Sequence, residues 1–193
     1  MPLPQSLYSS PLRRAAATLD ITFGDIVLSK GVRPVVSLYR FSQSYRLSTL
    51  STTRFNTNPQ IKETLRESIG LHTCDQRSSK SLIAREFPNF DFEPSFTEHD
   101  PLWDAIYQET ESQEAVRLRL ALNEIFATDA STFIGITAHG GVIGAMFRAI
   151  GKKRFPLNTG GFVPFVVSSR VDLGDLGRDI LLTHPAAQGY VTS

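Results

Sequence analysis

Residues Thr132 to Ile150 read TFIGITAHGGVIGAMFRAI. An apolar β-type run ends in Ala138-His139-Gly140-Gly141, and an amphipathic helix-type run follows it. The layout puts an imidazole at the C-terminal end of a strand. In a parallel α/β sheet that edge is where ligands bind, and two glycines after the histidine let the backbone approach an anion at a helix N-terminus. His139 is the first candidate catalytic residue, and Gly140 and Gly141 are candidate substrate-binding positions. The alternative is a hydrogen-bonded strand-end histidine followed by glycines that only turn the chain.

A chain of 193 residues with 41% hydrophobic content is long enough for one well-buried domain, so a single domain over residues 1–193 is expected. Twenty Lys/Arg against 19 Asp/Glu leave a net charge of +1, so no global field favours nucleic acid or an anionic membrane. Any anion site must be local. Cys74 is the only cysteine, which excludes an internal disulfide and a cysteine-based zinc finger, and no apolar run approaches a bilayer span. A cytoplasmic setting is expected.

Outward from the histidine motif, Ser6 to Ser9 reads as the end of a short strand, Pro11 suits a first helical turn, and Leu12 to Leu19 is helical in preference. Ile26 to Ser29 reads as helix or strand, and Val32 to Val36 as a strand. Ser37 to Gln60 is rich in Ser, Thr and Arg, holds no acidic residue and keeps neither period, which predicts an irregular insertion. Its aromatic-basic interleaving also admits a nucleic-acid reading, which the balanced net charge disfavours. Leu71 to Pro101 predicts a long loop, with Phe87, Phe90, Phe92 and Phe96 anchoring it to the core. Asp100 to Ala127 has helical spacing with a break near Glu111-Ser112, predicting two helices. Phe162 to Val171 predicts a strand, at an edge or bulge because of Pro164, and residues 172–193 a loosely ordered tail.

Ser10-Pro11-Leu12-Arg13-Arg14-Ala15 places arginines in a helix's first turn, where a guanidinium can reach a phosphate held at strand ends. Solvated helix-start arginines are the competing reading. A metal reading of His72, Arg77 and His139 with Cys74 and Asp75 finds no helical HxxxH or paired-cysteine spacing, so no metal and no other cofactor is expected. No GxSxG elbow supports a serine hydrolase.

Taken with Leu65-Arg66-Glu67 and Thr137-Ala138-His139-Gly140-Gly141, the arginine motif resembles the histidine phosphatase superfamily in its phosphoglycerate mutase-like branch. GLHTCDQRS (Gly70 to Ser78), FTEHDPLW (Phe96 to Trp103), Glu109-Thr110 and NTGGFVPFVV (Asn158 to Val167) are similar to text in the fungal members. The resemblance implies a three-layer α/β/α sandwich around a mostly parallel sheet, incomplete at its N-terminus. It implies that Arg14 binds phosphate, that Glu67 is the general acid protonating the leaving alcohol, and that His139 holds phosphoryl oxygens. Glu67 read alone is equally an ordinary surface carboxylate.

The family's nucleophile is a histidine in an Arg-His-Gly motif on the first strand, and none of His72, His99, His139 and His184 has that context. The missing strand is expected beside the one ending in His139, and its loss is expected to lower solubility. Joining Val35 or Val36 to Ile61-Lys62-Glu63 restores family-like text, so Val36 to Gln60 is expected to be translated intron in a truncated gene product. The expected function is phosphoryl transfer from a small phosphomonoester to histidine and then water. The alternative is a catalytically dead phosphate-binding or regulatory protein.

Overall fold

The computed structural model describes residues 3–25, 58–154 and 156–168. Four parallel strands, β1 (Ser6–Ser9), β2 (Gln60–Ile61), β3 (Asp91–Phe92) and β4 (Ile134–Thr137), form one sheet in the order β3-β2-β1-β4. Four helices, α1 (Arg13–Phe23), α2 (Lys80–Glu86), α3 (Glu111–Thr128) and α4 (Gly140–Ala149), cover it.

The pleat of β1 sorts the core into two halves, because neighbouring strand residues face opposite ways. Leu7 joins Ala16 and Leu19 of α1, Ile61 of β2 and Ile83 of α2 on one side. Tyr8 joins Leu118, Leu122 and Ile125 of α3 and Val142 and Met146 of α4 on the other. The result is the α/β/α sandwich expected from the sequence. In the register of β1 with β4, Leu7 lies opposite Gly135, and its side chain occupies the space a Gly135 side chain would need.

Several expectations need correction. Residues 71–101 hold a 3-10 turn at Thr73–Asp75, helix α2 and strand β3 rather than one long loop. Ser79 starts α2 by accepting a hydrogen bond from the Leu82 N–H (3.3 Å), a local signal that hydrophobic periodicity does not register. Phe87, Phe90 and Phe96 are buried against α1 and α2, so the aromatics do anchor the segment. Residues 100–110 are not helical, because Asp100 takes the Leu102 and Trp103 N–H groups and Asp104 those of Ile106 and Tyr107, bending the backbone. The single helix α3 begins at a capping box between Thr110 and Gln113.

Residues 162–168 form no strand; Pro164 lacks an N–H to donate and no strand lies beside them among the described residues. Phe165 rests on Phe147 instead (centroids 5.4 Å apart). The insertion expected over residues 37–60 ends too late, since Pro59 is buried and Gln60 pairs with Tyr8 and Asp91 in the sheet. Residues 37–57, the segments at 26–29 and 32–36, and the tail at 172–193 lie outside the described residues. Among the described residues no helix is long and apolar enough to cross a membrane.

Candidate phosphoryl site

β1 and β4 end side by side, and the chemistry gathers at their C-terminal ends. Ser10 directly follows β1 and is fully buried; its Oγ lies 2.8 Å from His139 Nε2 and accepts from the Leu12 N–H (3.3 Å). His139 follows β4 as the residue before α4. Its Nδ1 accepts from Arg14 Nε (3.3 Å), which requires an unprotonated Nδ1 and puts the ring's proton on Nε2, donated to Ser10. Burial, and then the Arg14 charge, push the imidazole down to about 4 against the opposing pull of Asp75. The ring is therefore neutral at physiological pH.

Arg14 sits one residue into α1. Its Nη1 donates to the Cys74 carbonyl (2.6 Å) and its Nη2 to Asp75 Oδ1 (2.9 Å). Arg13 turns to the surface and pairs with Glu86, so only the second arginine joins the site. Asp75, weighed above only as a metal ligand, is the carboxylate that orients Arg14.

Glu67 follows the 3-10 turn Glu63–Leu65 and reaches the first turn of α4. A methyl group on Gly141 would overlap Glu67 Oε1, so the second glycine is what lets the carboxyl approach the helix. A methyl group on Gly140 would meet open space. The two glycines, expected to act together on an anion, thus differ in kind. Burial raises the proton affinity of Glu67 and Asp75 adds to it, while the Ser68 N–H (3.2 Å) and the charges of Arg14 and Arg117 pull the other way.

Behind the site lies a buried ionic scaffold that the sequence reading missed. Arg66 is fully buried, forks onto both Asp100 oxygens (2.7 Å each), pairs with Glu63 (2.9 Å) and donates to the Asp75 carbonyl (2.8 Å). Burial pushes the Asp100 carboxyl up, but the Arg66 bonds and charge outweigh it and hold the group at about 2. Arg77, weighed as a metal ligand, is spent on Glu63 (2.7 Å) and the Thr97 and His99 carbonyls. Arg117 pairs with Glu109 and donates to the carbonyls of Thr64 and Arg66 (2.8 and 3.0 Å), fixing the backbone that carries Glu67. The signal was present as charged residues inside the motif text. Among the described residues no group of three or more His, Cys, Asp and Glu side chains could hold a metal ion.

Comparison with known proteins joins this geometry to a family. The chain is 37% identical over 167 residues to a probable phosphoglycerate mutase of Arthroderma benhamiae, an alignment covering 86% of this chain and 43% of that protein. It is 30% identical over 189 residues to the probable phosphoglycerate mutase PMU1 of Saccharomyces cerevisiae, covering 91% of this chain and 58% of that one. The chain is similar over most of its length to phosphoglycerate mutase-like proteins. A phosphomutase-like protein 3 of Candida albicans is 27% identical over 168 residues, covering 86% of this chain and 44% of that protein. The chain spans about half the length of the curated relatives it matches. No family model and no solved structure matches it. In this chain, Arg14, Glu67 and His139 lie on three different segments and meet at the ends of β1 and β4.

Proposed function

We propose that this protein is part of a metal-independent phosphatase that moves a phosphoryl group from a small phosphomonoester to a histidine and then to water. The convergence of Arg14, Glu67 and His139 at one sheet edge carries the reading. Arg14 and His139 bind the phosphoryl oxygens, and Arg14 offsets the charge that develops on them in transfer. As the histidine nitrogen bonds to phosphorus, the bond from phosphorus to the leaving oxygen breaks and Glu67 gives that oxygen its proton. Water then attacks the phosphohistidine, the P–N bond breaks, and the Glu67 carboxylate takes the water's proton. The raised proton affinity of Glu67 suits the first, acidic role near neutral pH.

The nucleophile would come from a further strand beside β4. Two observations support this. β4 is the last strand of the sheet, with its outer edge unpaired among the described residues, and all four of its residues are only half-buried despite the apolar sequence Ile-Gly-Ile-Thr. His72 and His99 are exposed, and His139 is held by Ser10 and Arg14. The relatives' names are those of probable phosphoglycerate mutases, so return of the phosphoryl group to a substrate instead of to water is the rival outcome of the same site.

The second reading, a phosphate-binding protein without turnover, draws on the same observation about the three described histidines, His72, His99 and His139. Incubation with a 32P-labelled phosphomonoester and denaturation at alkaline pH, where phosphohistidine survives, separates the two. A polypeptide that carries the added strand is expected to retain label and to lose it on Glu67→Gln or Arg14→Ala substitution. Absence of label in that longer polypeptide would establish the non-catalytic reading.

A further inference from the structure

Glu67 is not the only carboxyl group at the first turn of α4. Glu114, in the first turn of α3, is almost fully buried, and its Oε1 lies 3.7 Å from where a Gly141 Cβ would stand, the same point that Glu67 Oε1 crowds. Ser68 links the two: its N–H donates to Glu67 Oε1 (3.2 Å) and its hydroxyl to Glu114 Oε1 (3.2 Å). On its far side Glu114 Oε2 accepts from Arg148 Nη2 (3.3 Å), whose Nε is buried with no hydrogen-bond partner.

We propose that Glu114 is a positioning residue that acts on the reaction through Glu67, with Ser68 as the link between the two carboxyl groups. The inference rests on the reading of Glu67 as the general acid. Burial raises both the half-buried Glu67 and the buried Glu114, and the Glu67 charge further opposes ionisation of Glu114, an interaction that is reciprocal between two carboxyl groups this close. The groups that face them complete the balance. Arg14 of α1 and Asp75 of the 3-10 turn act on Glu67 with opposite signs, Arg117 of α3 draws both carboxyls toward ionisation, and Glu109 and Arg148 act on Glu114. The two carboxyls therefore titrate as a pair in which ionisation of one keeps the proton on the other, while the Ser68 N–H holds Glu67 Oε1 in place.

The test is a pH titration of the Glu67 carboxyl carbon by 13C NMR in the full chain, in Glu114→Gln and in Glu111→Gln. Glu111 also reaches Arg148 but is largely exposed, so it controls for changes transmitted through the arginine. The Glu67 midpoint is expected to fall by about 0.5–1 pH unit in Glu114→Gln and to stay in place in Glu111→Gln. An unchanged midpoint in Glu114→Gln, or an equal fall in both variants, overturns the proposal. Should Glu114→Gln not fold, Ser68→Ala removes only the bridging hydroxyl; a smaller fall is then expected, and none overturns the proposal. Binding of inorganic phosphate to the same samples separates the two claims. Phosphate binding that depends on Arg14, beside an unmoved Glu67 midpoint, overturns the role of Glu114 alone. A shifted midpoint in a chain that takes up no phosphate supports the coupling and counts against the site.

Discussion

His139 is a neutral imidazole near pH 7, because burial and Arg14 push it down to about 4. The consequence for stability has a definite sign. The unfolded chain protonates this histidine near 6.5 while the folded chain resists until about 4, so stability contributed above pH 6.5 is lost as the pH falls toward 4. The full span corresponds to about 3 kcal/mol. The carboxyls of buried Glu63, Glu93 and Glu114 and of half-buried Glu67 have raised values and work in the opposite direction, so the comparison must be with His139→Gln. Urea unfolding is expected to show the stability advantage of the native chain over that variant shrinking from pH 7 to pH 4. An advantage independent of pH would contradict the neutral ring. The glycines give a second prediction: Gly141→Ala should cost about 1–3 kcal/mol by crowding Glu67, and Gly140→Ala should be near neutral. Equal costs by urea unfolding would refute the distinction.

Among the elements, β1, α1, β4 and α4 were legible in the sequence because each has one uninterrupted signal: a short apolar run or a 3.6-residue period with an early proline or glycine. The stretch from Leu71 to Thr110 was not. There the backbone is organised by Asp100, Asp104, Ser79 and Thr110 taking up N–H groups, and by arginines bound to distant carbonyls, none of which leaves a periodic trace. The site residues divide in the same way. Arg14, Glu67 and His139 were identified by motif order, whereas Asp75, Ser10 and the Arg66 fork become visible only when the chain is folded. Arg66→Ala would strand Glu63 and Asp100 as buried charges, with an expected loss of about 3–5 kcal/mol in urea unfolding. A loss under 1 kcal/mol would show that the scaffold is not holding this region.

At the scale of the whole molecule, the sandwich has one open side among the described residues. β4 leads directly to His139, yet its outer edge is unpaired among the described residues, and unpaired strand edges recruit other strands. Light scattering on this chain should therefore show concentration-dependent association, weakened by a lysine at half-buried Ile136. A strictly monomeric chain at high concentration would mean that the edge is covered. The relatives that the protein resembles are about twice as long as this chain.

The central claim is that Arg14 and His139 form a phosphate-binding site in this chain. Calorimetric titration with inorganic phosphate tests it most directly, in the native chain and in Arg14→Ala. Binding is expected in the native chain and should weaken by about tenfold to a hundredfold in the variant, the range for a lost hydrogen bond to a charged group. Equal affinity in the two proteins would contradict the account.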